Sequence, residues 1–141
     1  MNRNNIITRN LVPDHERIKF AADMFGVNFP LRLEPYIYAV AGNLAKEYRG
    51  GYWQFYTLSN GGFYMWPDFD GQFTVSCENG FSGPMSEEAL GIMACLYAFS
   101  HLSFTDNQAL AELCAEQFHL LREYPPQGAM YWGGAQFTLA T

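Results

Sequence analysis

Apolar positions recur at helical spacing near the start of the chain. Ile18, Ala21, Ala22 and Phe25 follow Pro13, and Gly26 supplies a stop, which predicts a helix over 13–25. A second helix is predicted from Glu34-Pro35, with Ile37, Val40, Ala41, Leu44 and Tyr48 as its buried stripe and Gly50-Gly51 as its end. The period then changes. Two aromatic-rich runs, 52–58 and 63–66, flank Ser59-Asn60-Gly61-Gly62, and Asn-Gly between such runs signals a hairpin. Pro67 and Asp70-Gly71 break the second run, and Gln72 to Cys77 reads as a third strand ended by Glu78-Asn79-Gly80.

Helical patterning returns at Ser86, an N-cap residue type followed by Glu87 and Glu88, which suit the helix dipole. Met85 and Leu90 occupy the staple positions around that cap. The helix that follows, to about Leu102, is apolar on nearly every face and reads as a central core helix. Thr105 and Gln108 form a capping box for a last helix, which Pro125-Pro126 stops. The fold class expected is α+β: a single domain, 1–141, with an antiparallel meander of three strands, or four, packed with about four α-helices.

Composition supports a packed core. Of 141 residues, 49% are hydrophobic, 17% aromatic and only 16% charged, which argues against disorder. The longest nearly uncharged stretch, Ala89 to Phe104, is interrupted by Gly91, Ser100, His101 and Ser103, so no membrane span is expected. The N-terminal residues lack an apolar core, so no secretory signal is expected either. Cys77, Cys95 and Cys114 are an odd number without a CxxC pair, which fits a reducing cytoplasm.

Charge is unevenly placed. Residues 1–49 hold seven bases and five acids, whereas Gly50 to Leu121 holds no Lys or Arg and eight acids. A surface built from that segment repels phosphate, so direct nucleic-acid binding is disfavoured. DNA mimicry needs a far denser anionic array, close to one charge per ~1.7 Å of duplex axis. A mildly acidic surface is the simpler reading.

Candidate chemistry is sparse. Cys95 precedes His101 by six residues and Cys114 precedes His119 by five, spacings that put each pair on different helix faces. A Cys–His hydrolase, or an enzyme using the Asp68–Asp70 pair, is the alternative class, but it needs partners from elsewhere in the chain. Asp68-Phe69-Asp70-Gly71 resembles the start of a calcium loop, yet Asn79 stands where the closing Glu belongs. Gly61-Gly62 is followed by a strand and matches no phosphate-binding motif. No catalytic residue, metal site or cofactor is expected. The exposed polar candidates for partner contact are Asn60, Asp68, Asp70, Glu78 and Asn79, which fall in or beside predicted turns.

Two blocks are more specific than their composition. The run 50–65, Gly-Gly-Tyr-Trp-Gln-Phe-Tyr-Thr-Leu-Ser-Asn-Gly-Gly-Phe-Tyr-Met, resembles the signature of the ArdB/KlcA antirestriction family. So does the run 79–102, from Asn79-Gly80-Phe81-Ser82-Gly83-Pro84-Met85-Ser86 to Ser100-His101-Leu102. Leu11-Val12-Pro13, Arg17 and Phe25-Gly26 fit the same pattern, so the resemblance spans about 6–124. It implies a small bacterial cytoplasmic protein carried by plasmids and other mobile elements, with an α+β fold peculiar to the family. The implied function is relief of type I restriction–modification of incoming unmodified DNA. The implied partner is the type I complex or an associated host protein, contacted directly or indirectly, with no DNA mimicry and no catalytic residues to carry over.

Overall fold

The computed structural model describes residues 6–69, 71–76 and 82–124. Among these residues, five strands form two antiparallel sheets, with four α-helices packed against them. The larger sheet has the order β1 (Arg9–Leu11), β2 (Trp53–Leu58), β3 (Phe63–Pro67), and the smaller pairs β4 (Gln72–Ser76) with β5 (Ser82–Ser86). The helices are α1 (Arg17–Phe25), α2 (Glu34–Leu44), α3 (Glu87–Leu102) and α4 (Gln108–Arg122). A 3-10 turn, Asp14–Glu16, leads into α1, and a π-helical turn, Phe29–Leu33, leads into α2.

The α+β class stands, but the strands are arranged differently from a meander. The hairpin pairs as its sequence predicts, with Phe55 opposite Met65 and Tyr56 opposite Tyr64. The third strand does not join it. Met65 is a non-bonded partner of Phe55, whose carbonyl accepts instead from Val12 (2.9 Å). The Met65 N–H and carbonyl therefore face outward, and α3 covers them: Met65 donates to Cys95 Sγ (3.5 Å), which donates back to the Met65 carbonyl (3.7 Å). Gly91 lets the helix approach the strand backbone this closely. With that edge covered, Gln72–Ser76 pairs with Ser82–Ser86, a stretch the sequence offers only as a lead-in to the cap. Ser86 keeps its predicted role and accepts from Ala89 N–H (3.1 Å).

Other boundaries differ for local reasons. Helix α2 ends at Leu44, because Ala45 turns extended and bridges to Val75. Tyr48 therefore leaves the helix, and its hydroxyl accepts from the Trp53 indole (3.0 Å). The last helix is capped by Asn107, whose side chain accepts from Leu110 N–H (3.2 Å). Thr105, the predicted cap, accepts from Arg32 instead (2.9 Å). Of the four apolar positions that mark α1, Ala21 and Phe25 are buried, whereas Ile18 is 88% exposed and Ala22 is exposed as well.

The main core gathers Phe25, Phe29, Ile37, Trp53, Phe55 and Phe63 around α3 and α4. A second cluster of Leu44, Phe73, Val75, Met85, Leu90 and Met93 lies beneath the smaller sheet, and Val40 and Tyr48 pack against both. Polar links bind the layers at two places. Glu88, in the first turn of α3, receives Arg9 from β1 and the Tyr64 hydroxyl from β3. Glu47 accepts from the Thr74 N–H (2.9 Å) and so ties the turn after α2 to β4, which holds its carboxyl below the ordinary glutamate value.

That last link has a pH signature. A carboxyl whose folded pKa is depressed stabilises the fold above its unfolded pKa, and the contribution is lost as pH falls through the folded value. Glu47→Gln is therefore expected to flatten the acid limb of the melting temperature between roughly pH 5 and pH 3. Thermal scans across that range, with the wild type and variant giving parallel curves, would contradict it.

Candidate functional site

Of the turn residues singled out from the sequence, the two described ones, Asn60 and Asp68, lie far apart. Asn60 sits at the tip of the hairpin, and its side-chain nitrogen donates to the Leu120 carbonyl (2.9 Å) and to Glu123 (3.4 Å). Its oxygen accepts from Gly62 N–H (3.0 Å), and Gln117 adds a bond to the Gly61 carbonyl (3.2 Å). The side chain thus clamps the hairpin tip to the end of α4. Removing it in Asn60→Ala is expected to cost about 1–2 kcal/mol, read as a lower urea midpoint. An unchanged midpoint would show that the turn holds without the clamp.

Asp68 is exposed at the opposite end of the sheet, where it accepts from Gln54 (2.9 Å) and donates its N–H to the Tyr52 carbonyl (2.8 Å). The intervening strands, at about 3.3 Å per residue, separate it from Asn60 by roughly 20 Å. Asp70, Glu78, Asn79 and Cys77 lie outside the described residues.

The cysteines are placed in the core. Cys95 and Cys114 are unpaired and wholly buried, and desolvation pushes both thiols up to about 12. Thiolate is then scarce at neutral pH, and thiolate is the nucleophilic form. The histidines look elsewhere: His101 packs tilted against Tyr36 (4.6 Å between ring centres) and His119 meets Phe118 edge-on (5.8 Å). Among the described residues, no group of three His, Cys, Asp or Glu is placed to hold a metal ion.

A concave feature among the described residues lies near Asp68, between α1, the π-helical turn and the start of β2. It is a cavity of about 630 Å³, within the usual range for ligand-sized clefts. Phe29 and Phe55 come from the core beneath it, and Ile18, Val27 and Pro30 form its outer wall. Arg17 lies across the floor, its guanidinium 4.1 Å from the Phe55 ring centre and 4.7 Å from that of Tyr52, with the side chain only 16% exposed. Its ion pair with Asp14 is long, at 3.8 Å. The Tyr52 hydroxyl donates to Asp14, and that carboxylate holds the phenol above its ordinary value. Glu34, also in the lining, accepts from the Tyr38 hydroxyl (2.8 Å), and burial followed by Glu34 raises Tyr38 as well.

This groove has no counterpart in the sequence reading. Arg17 and Tyr52 belong to elements that meet only in the tertiary fold, and Tyr52 and Asp14 are 38 positions apart. The signals available were Arg17 and Gly26 within the family-like N-terminal pattern, and Tyr52 and Phe55 within the run 50–65. The groove suits apolar burial beside fixed charges, and the raised pKa of Tyr52 keeps its phenol protonated.

An α+β fold with these blocks in its hairpin and core helix defines a class of antirestriction proteins. Residues 46–130 match the family model described as "Antirestriction protein". The chain belongs to the ArdB/KlcA antirestriction family. It is 35% identical over 134 residues to an antirestriction protein KlcA of Escherichia coli, covering 89% of this chain and 92% of that one. It is also 41% identical over 121 residues to the uncharacterised protein YafX of Escherichia coli K12, covering 82% of this chain and 77% of that one. A solved structure from work on the KlcA and ArdB proteins superposes with a TM-score of 0.84 at 34% identity, covering 96% of this chain and all of that one. Those proteins are described as showing a novel fold and antirestriction activity against type I DNA restriction systems in vivo but not in vitro.

Proposed function

We propose that this chain relieves type I restriction of incoming unmodified DNA inside the bacterial cytoplasm, by contacting a protein and without catalysis. The observation that carries the reading is the close superposition on a family structure whose proteins act against type I systems in vivo but not in vitro. A partner supplied by the cell explains that contrast. The partner is the type I complex or a host protein associated with it, reached directly or through an intermediary.

The surface supports protein contact over DNA contact. Between Gly50 and Leu121 no base offsets the acids, and phosphate neutralisation by Lys and Arg is the main source of nucleic-acid affinity. The two described thiols are held protonated, which disfavours a cysteine nucleophile. The contact residues proposed from the turns are Asp68, Asp70, Glu78 and Asn79, with Asn60 serving the hairpin clamp as well. No described helix is long and apolar enough to cross a membrane.

The test is transformation of unmodified plasmid into a host with an active type I system. Expression of this chain is expected to raise the yield of transformants over an empty vector. An unchanged yield with the protein present in the lysate supernatant would overturn the proposal.

A further inference from the structure

Large aliphatic side chains in and beside the groove wall remain in water. Ile18 is 88% exposed, Val27 65% and Leu31 69%, and the first two form its wall. Single exposed aliphatics are ordinary, but several around one concavity mark an interaction surface. The wall is also held in place. Tyr52 is fixed at both ends, its hydroxyl on Asp14 and its carbonyl on the Asp68 N–H, and Phe29 and Phe55 pack edge to face behind it (5.6 Å). A surface fixed before binding loses little freedom on association.

Charge selects the occupant. Asp14 and Glu34 line the groove and Asp68 adjoins it through Tyr52, so three carboxylates stand against one guanidinium. That guanidinium lies beneath the rings with little exposure, whereas the Asp14 side chain is 76% exposed. The mouth is therefore acidic over an apolar floor.

We infer that this groove docks an amphipathic, basic segment of a protein partner. An aliphatic side chain of that segment enters between Ile18, Val27 and Pro30, and flanking Lys or Arg side chains meet Asp14, Glu34 and Asp68. The inference rests on the proposal that the chain works by protein contact, and names the chemistry of that contact. A second copy fits poorly, because a twofold contact would set the same acidic rim against itself. A phosphate-rich strand is repelled by the same rim.

Two arms test it, with the full chain in each. In the first, a fluorescein-labelled amphipathic Leu/Lys peptide is titrated with protein and followed by anisotropy. Wild type is expected to bind it, a Leu/Glu peptide is not, and Ile18→Asp is expected to weaken Leu/Lys binding about tenfold or more. Adding a carboxylate would strengthen a merely electrostatic attraction, so weakening reports insertion of an apolar side chain. Equal or better binding of the Leu/Glu peptide, or tighter Leu/Lys binding by Ile18→Asp, overturns the inference.

The second arm is the transformation assay. Ile18→Asp, Val27→Asp and Asp68→Lys are expected to fall to the empty-vector yield with melting temperatures close to wild type. These positions are exposed, so folding is not at stake. Full activity in folded variants overturns the inference while leaving the proposed function standing. A wild type without activity overturns the proposed function, and the peptide arm then decides the groove alone. A dimer seen by light scattering and abolished by Ile18→Asp would assign the groove to a second copy and overturn the partner assignment.

Discussion

Gly91→Ala is expected to lower the melting temperature by about 10 °C, a loss near 3 kcal/mol. A Cβ at this position would sit 2.3 Å from the Trp66 Cβ and 2.4 Å from both the Met65 carbonyl oxygen and the Trp66 Cα. All three belong to or adjoin the backbone of β3, so no side chain can swing aside. Relief requires α3 to move off the strand, and that movement also loosens the Cys95 contacts to the Met65 N–H and carbonyl. Buried backbone groups left without partners add their own cost. Gly42 is the control, since it lies within α2 and the nearest atom to its Cβ would be Tyr48 Cδ2 at 3.9 Å. Gly42→Ala is expected to stabilise by up to about 1 kcal/mol, the usual helix-interior gain. Thermal unfolding of both variants, monitored by circular dichroism, gives opposite signs if α3 rests directly on the strand. Equal shifts would contradict that packing.

Phe63→Ala is expected to cost about 4 kcal/mol, within the range for deleting a buried phenyl ring. Phe63 is wholly buried and meets four other rings, with centroid distances of 5.5 Å to Phe20, 5.6 Å to Phe25, 6.2 Å to Phe29 and 5.5 Å to Phe55. It joins β3 to α1, the π-helical turn and β2, so the cavity left behind has walls on separate elements and closes poorly. Native stabilities are commonly about 5–15 kcal/mol, so the variant should be close to its unfolding threshold. The denaturation midpoint should fall with little change in slope. A loss below about 1 kcal/mol would mean that the neighbouring rings collapse into the space.

The parts of the fold legible in the sequence are those with strong local signals. Asn60-Gly61 between aromatic runs gives the hairpin, and Gly61 takes the positive φ that its turn needs. Ser86 and the apolar run after it give α3 and its cap. The parts that escaped depend on contacts distant in sequence. Strand β5 reads Ser-Gly-Pro-Met-Ser, without alternation and with two strand-weakening residues, and it forms because β4 lacks access to β3. Strand β1 is three exposed residues held by β2 and carries no pattern of its own.

The candidate site divides the same way. Asp68 is legible as an exposed polar residue after a strand, and its place beside Tyr52 is not. Ile18 looks like a core residue by spacing, yet α1 turns it outward beside Arg17. The family blocks pointed to antirestriction because they coincide with the hairpin and core helix that define the fold. They did not point to the groove, although Tyr52 and Phe55 fall in the first block, because the other lining residues, Asp14 to Glu34, meet them only in the tertiary fold.

The central claim is relief of type I restriction in the cell, and paired plating of unmodified phage tests it most directly. The ratio of plaques on a restricting host to those on its isogenic non-restricting parent isolates restriction from adsorption and growth. With this chain expressed the ratio is expected to rise toward one, while phage already carrying the modification plates equally with or without it. A ratio unchanged from the empty vector, with folded protein present in the restricting cells, would contradict the account.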